Sequence, residues 1–113
     1  MKHSCKFVHF RLPQYDMRGF EEVRAGISPQ GGATVAYTEK DEKTYAAVAY
    51  CNPNDNFNYA YGRNKAAGRL TQLLHNPEKQ DDEMYHIFPA EDGLESLRKF
   101  FEDSGYIHRG PRK

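Results

Sequence analysis

Apolar positions follow two rhythms along the chain, mostly alternating in the first half and helically spaced in the second. Lys6 to Leu12 is short, aromatic and β-branched and stops at Pro13, which suits a strand better than a helix. From Pro13 to Gly32 the pattern blurs. Phe20, Val23 and Ile27 fit a helical face, yet Gly19, Gly26, Pro29, Gly31 and Gly32 interrupt it, so the stretch reads as a loop with a short strand near Glu21 to Ile27. Ala33 to Thr38 and Thr44 to Tyr50 are β-prone runs joined by Glu39-Lys40-Asp41-Glu42-Lys43, the pattern of a hairpin with a solvated tip.

Cys51 to Asn56 is rich in turn formers, and Phe57 to His75 then shows helical apolar spacing, which predicts a helix from near Asp55 to near Asn76-Pro77. Pro77 to Glu83 is a polar surface loop, and Met84 to Phe88 is read as an edge strand. Asp92 and Glu95 have capping-box spacing ahead of the stripe Leu94, Leu97, Phe100 and Phe101. Gly105 is placed to end that helix, with Tyr106 or Ile107 packing back, and His108 to Lys113 reads as a fraying basic tail. The order predicts a single α+β domain over residues 1–113, an antiparallel sheet of three to five strands with two helices packed on one face.

Composition narrows what such a domain does. At 113 residues the chain has room for one core, and 8 Tyr with 7 Phe give it enough apolar bulk to fold. Sixteen Lys and Arg balance sixteen Asp and Glu, so no global field draws in nucleic acid or an anionic membrane, and any such role needs a local patch. Cys5 and Cys51 allow at most one disulfide, which a chain of this length does not need. Without an apolar run behind the first residues or 18 consecutive apolar residues anywhere, the expected location is the cytoplasm.

The chemistry concentrates around the first helix. On a helical wheel Tyr59, Ala60, Gly62, Ala66, Ala67, Leu70, Leu73 and Leu74 share a broad arc with Arg63 in its middle, and Lys65 outside it. A guanidinium aimed at a sheet must be paired, because an unpaired buried charge costs several kcal/mol. Asp16, Glu21 or Glu22 are candidate structural mates. The functional alternative is an anion site in which Arg63, Arg69 at the rim and exposed amides near Asp55 hold a phosphate or a partner's carboxylate. Tyr50, Phe57, Tyr59 and Tyr61 crowd the helix start, as core packing or as surfaces on which bases stack.

Two other constellations reduce to structure. Cys51 precedes a helix start, where thiol nucleophiles occur, but no His or Asn stands at a recognisable partner spacing, so it reads as a packed cysteine. His3, Cys5, Phe7 and His9 alternate onto one strand face, and their spacing matches no zinc signature, so no metal is expected. The chain has no GxxxxGK[ST], GxGxxG, HExxH, GxSxG or paired CxxC, and the expectation is a non-enzyme without cofactor.

Cys51-Asn52-Pro53-Asn54-Asp55-Asn56-Phe57, with Gly62-Arg63-Asn64-Lys65-Ala66-Ala67-Gly68-Arg69-Leu70 after it, resembles a recurring pattern in small bacteriophage and prophage proteins, Cys-x-Pro-x-Asp-x-Phe followed by Gly-Arg-x-x-Ala-x-Gly-Arg. Here the second half is shifted by one, with Ala66-Ala67-Gly68-Arg69 in place of the single-alanine spacing. The resemblance implies a phage-type accessory protein, a group in which inhibitors of host defence such as anti-CRISPR proteins are frequent. It names no ligand and transfers no catalytic residue. The expected function is binding, to a host or anti-phage defence protein in the host cytoplasm, through Asp55, Phe57, Tyr59, Tyr61, Arg63, Lys65 and Arg69. The alternative is a nucleic-acid or nucleotide binder using the Arg63, Lys65 and Arg69 helix, and a thiol enzyme built on Cys51 ranks last. Oligomeric state is not legible in the sequence.

Overall fold

A computed structural model of the chain describes residues 5–18, 21–81 and 83–109, with residues 16–18, 21–25, 108 and 109 described by their backbone alone. Its elements are β1 (Lys6–Arg11), β2 (Pro13–Arg18), β3 (Glu21–Ile27), β4 (Ala33–Lys40), β5 (Lys43–Tyr50), α1 (Tyr59–His75), β6 (Tyr85–Pro89), α2 (Gly93–Asp103) and β7 (Ile107–Arg109). Five strands form one antiparallel sheet in the order β6-β5-β4-β1-β7, and β2 and β3 form a separate two-stranded hairpin. The fold is α+β. None of the described helices is long and apolar enough to cross a membrane.

The β4–β5 hairpin is the centre of the sheet, with Val35 opposite Val48 and Ala36 opposite Ala47. Its tip is tighter than the run of five charges suggests: both strands extend into that run, leaving Asp41 and Glu42 to turn the chain at φ 52° and 64°. Two positive φ values in a two-residue loop match the right-handed twist of the flanking strands, although Asn-Gly is the usual choice there.

Side chains alternate across the sheet and give each helix its own face. Val8, Phe10, Val35, Ala46 and Val48 point to one side and pack with Leu97 and Phe101 of α2. Ala36, Tyr45, Ala47 and Ala49 point to the other and pack with Ala66, Leu70, Leu73 and Leu74 of α1. The expected single helical face is therefore divided between two, with the sheet as the middle layer. Burial is continuous from Ala33 to Ala36 and from Thr44 to Ala49, as a sheet covered on both sides requires.

The helix ends differ from expectation in instructive ways. α1 begins at Tyr59 rather than near Asp55, because Phe57 N–H donates to Pro29 O and Asn56 bridges Gln30, holding these residues in the loop. Asn58 is the cap, its Oδ1 accepting from Tyr61 N–H at 3.0 Å. Asp92 makes no side-chain cap to α2; a 3-10 turn, Ala90–Asp92, leads into that helix instead. At its other end Gly105 is left-handed at φ 93°, Tyr106 N–H reaches back to Phe101 O at 2.9 Å, and the Tyr106 ring lies edge-on to Phe101.

Two segments read as irregular are strands. Residues 13–18 pair with β3 across a bulge between Gln14 and Tyr15, and Ile107–Arg109 pair with β1 rather than fraying. Residues 110–113, the rest of the expected basic tail, lie outside the described residues.

Candidate functional site

The cation expected beneath α1 lies outside. The helix meets the sheet through a narrow stripe, Gly62, Ala66, Leu70, Leu73 and Leu74, while Tyr59, Ala60 and Arg63 are exposed and Ala67 is half-buried. Small residues on both sides let the helix sit close. A Cβ added to Gly62 would lie 2.5 Å from Thr34 Oγ1, so this position tolerates only glycine without displacement. The side chains of Asp16, Glu21 and Glu22, named as structural mates for Arg63, lie outside those described.

Arg69, expected at the rim as a binding residue, is the cation that turns inward. Its Nη1 donates to Val48 O at 2.8 Å, tying the helix to β5. Arg63 and Lys65, two residues apart on the helix, face different sides, with Lys65 over the Tyr61 ring at 5.3 Å, so the three cations form no single stripe.

At the start of α1 a cluster of rings and cations forms that spacing does not reveal. His9, Arg11, Phe57 and Tyr59 meet there from β1 and the loop before the helix. The His9 ring is edge-on to Tyr59 at 4.6 Å and to Phe57 at 5.8 Å, and its Nδ1 is 3.0 Å from Thr34 Oγ1. The Arg11 guanidinium lies 4.4 Å above Phe57 and 5.5 Å from the Tyr59 ring centre, an arrangement worth about 0.5–2 kcal/mol. Its Nη1 donates to Tyr59 Oη at 2.8 Å and its Nη2 to Ser28 O at 3.0 Å, while its buried Nε has no partner among the described residues. Burial, with the Arg63 and Arg11 charges adding to it, pushes His9 down to about 4, so the imidazole is neutral at pH 7.

Beside this cluster a cleft of about 320 Å³ opens, lined by Thr34, Tyr50, Cys51, Asn52, Asp55, Phe57, Asn58, Tyr61, Gly62 and Lys65 among others. The loop amides expected to receive an anion near Asp55 are already engaged: Asp55 N–H donates to Asn52 O, Asn54 N–H to Asn52 Oδ1 and Phe57 N–H to Pro29 O. Asp55 is exposed and contributes its backbone, accepting from Gly31 N–H. Cys51 Sγ lies 3.5 to 3.6 Å from the carbonyl oxygens of Asn52, Asp55 and Asn56, the setting of a thiol donor packed into its own loop. Of the strand-face cluster considered for zinc, Cys5 and Phe7 pack against the α1 side, and His3 lies outside the described residues.

The structure thus places Phe57, Tyr59, Tyr61, Arg63 and Lys65 around the helix start, adds His9, Arg11 and Thr34, and ties Arg69 to β5 through Val48 O. No family model, curated protein or solved structure matches the chain.

Proposed function

We propose that the protein acts by binding rather than catalysis, through the aromatic and cationic surface at the start of α1, and that its partner is a protein with an acidic contact region. One observation carries this reading: Tyr59 stands 39% exposed beside Arg11, Tyr61 stands 62% exposed beside Lys65, and neither these cations nor the exposed Arg63 forms an ion pair among the described residues. Tyrosine and arginine are the favoured anchors of protein interfaces because they supply large, rigid contact area and directed hydrogen bonds. The likeness of residues 51–57 and 62–70 to small phage proteins supports a host or defence-system protein as partner, met in the host cytoplasm. Phosphate-dominated nucleic-acid binding draws less support, because Arg69 is turned to Val48 O and the remaining cations do not line up with it.

Affinity capture from nuclease-treated host lysate tests this. The reading expects a defined protein retained in near-stoichiometric amount through moderate salt, since an interface with aromatic anchors weakens less with salt than phosphate contacts do. Retention of nucleic acid in untreated lysate, with no protein after nuclease, contradicts it.

A further inference from the structure

The charges around His9 have no counterpart among the described residues. Arg11 is two residues along β1 from His9, on the same strand face, and Arg63 follows Tyr59 by one helical turn on the same side of α1. Tyr59 links the two groups, accepting from Arg11 through its hydroxyl and lying against His9 with its ring. In the β7 register the backbone of Arg109 stands opposite His9. The single ion pair among the described residues is Arg98 with Glu95, on α2, across the sheet. Arg11 is held in place by rings and two hydrogen bonds, and each bonded terminal nitrogen keeps a second N–H, whereas Arg63 is exposed and able to close on a ligand.

We infer that Arg11 and Arg63 form an anion seat beside Tyr59 that takes a carboxylate or phosphate group. Arg11 on its aromatic frame and Arg63 one helical turn from Tyr59 bring two positive charges to one corner, where an anion offsets their repulsion, and planar forks suit both oxygen groups. The seat deepens the proposed function by giving the partner's contact group, and it rests on that reading for the partner but not for the anion. His9 is its reporter. Among the described side chains the groups facing His9 are Thr34 from β4, Arg11 on its own strand, and Tyr59 and Arg63 from α1, while Arg109 is its register partner on β7. An anion in the seat offsets the two positive charges and eases protonation of the imidazole, and by reciprocity protonation tightens the anion.

The test follows His9 Cε1–H and the Arg11 and Arg63 Nε–H signals by NMR in the full chain. At fixed ionic strength, chloride is replaced stepwise by inorganic phosphate or by an acetylated and amidated tri-aspartate peptide. Saturable shifts of these signals at pH 6.5 are expected in at least one arm, and which arm responds tells phosphate from carboxylate. If phosphate binds, the His9 midpoint rises from about 4 by about half a unit or more. Arg63→Gln, an exposed change, removes the saturable shifts. Non-saturating signals in both arms overturn the seat, as does undiminished saturation in Arg63→Gln. No partner is present in this experiment, so either failure leaves capture of a host protein standing, while loss of capture with intact anion shifts fails the proposed function alone.

Discussion

The two faces of the sheet are built from the same strands and differ in what their residues leave over. Towards α2 the strands present Val8, Phe10, Val35 and Val48, and the Phe10 and Phe101 rings stack at 4.2 Å, so large side chains fill that layer. Towards α1 they present Ala36, Ala47 and Ala49, and the helix answers with Gly62 and Ala66 before Leu70, Leu73 and Leu74 complete the layer. The start of that helix runs beyond the alanines to Thr34, His9 and an open cleft. One face uses its side chains for packing, and the other leaves rings and cations exposed at the start of α1.

Substitutions sharpen that contrast in order of size. Phe101→Ala empties the stack with Phe10 and is expected to cost about 3–5 kcal/mol in chemical denaturation. A loss below about 0.5 kcal/mol shows that α2 does not carry its face. Gly62→Ala forces α1 away from Thr34 and is expected to cost about 1–3 kcal/mol. Gly68→Ala, where an added Cβ meets nothing within 4 Å, stabilises by about 0.5–1 kcal/mol. Equal effects of the two break the claim of close approach. Arg69→Met removes the bond to Val48 O and costs about 1–2 kcal/mol while capture of the partner is unchanged; lost capture returns Arg69 to the binding surface.

The pH response is smaller. Because His9 titrates near 4 in the folded chain and near 6.5 in the unfolded one, the unfolded state binds more protons between these values. The stability due to neutral His9 is complete above about pH 6.5 and is lost as pH falls towards 4, by about 1 kcal/mol once solvent screening of this half-exposed group is allowed for. An NMR midpoint for His9 near 6.5 removes the effect and the buried, cation-flanked environment with it.

What the sequence discloses follows from how local each signal is. The β4–β5 hairpin and α2 with its Gly105 stop are written in short-range patterns, although both strands run on into the charged tip and Leu94 of the expected stripe is 37% exposed. β2 is hidden because Gln14, Asp16 and Arg18 alternate with only Tyr15 and Met17, and β7 because three residues pair by virtue of a free edge on β1. The second helical face is legible in the unbroken small and apolar runs of β4 and β5, a mark of a sheet covered on both sides. The buried face of α1 is narrower than its periodicity suggests: contact is limited to Gly62, Ala66, Leu70, Leu73 and Leu74, and Tyr59 to Tyr61 escape burial. His9 and Arg11 carry no sequence signal for the site, since Arg11 meets Tyr59 across 48 residues of chain.

The division between faces is tested most directly by Tyr61→Ala combined with Lys65→Gln, measured in parallel for unfolding free energy and for partner retention. Both side chains are exposed and touch one another over the cleft, away from the packed stripe. The account predicts stability within about 0.5 kcal/mol of the parent and retention reduced at least tenfold, about 1.4 kcal/mol of binding. Undiminished retention by a stably folded double variant would contradict it.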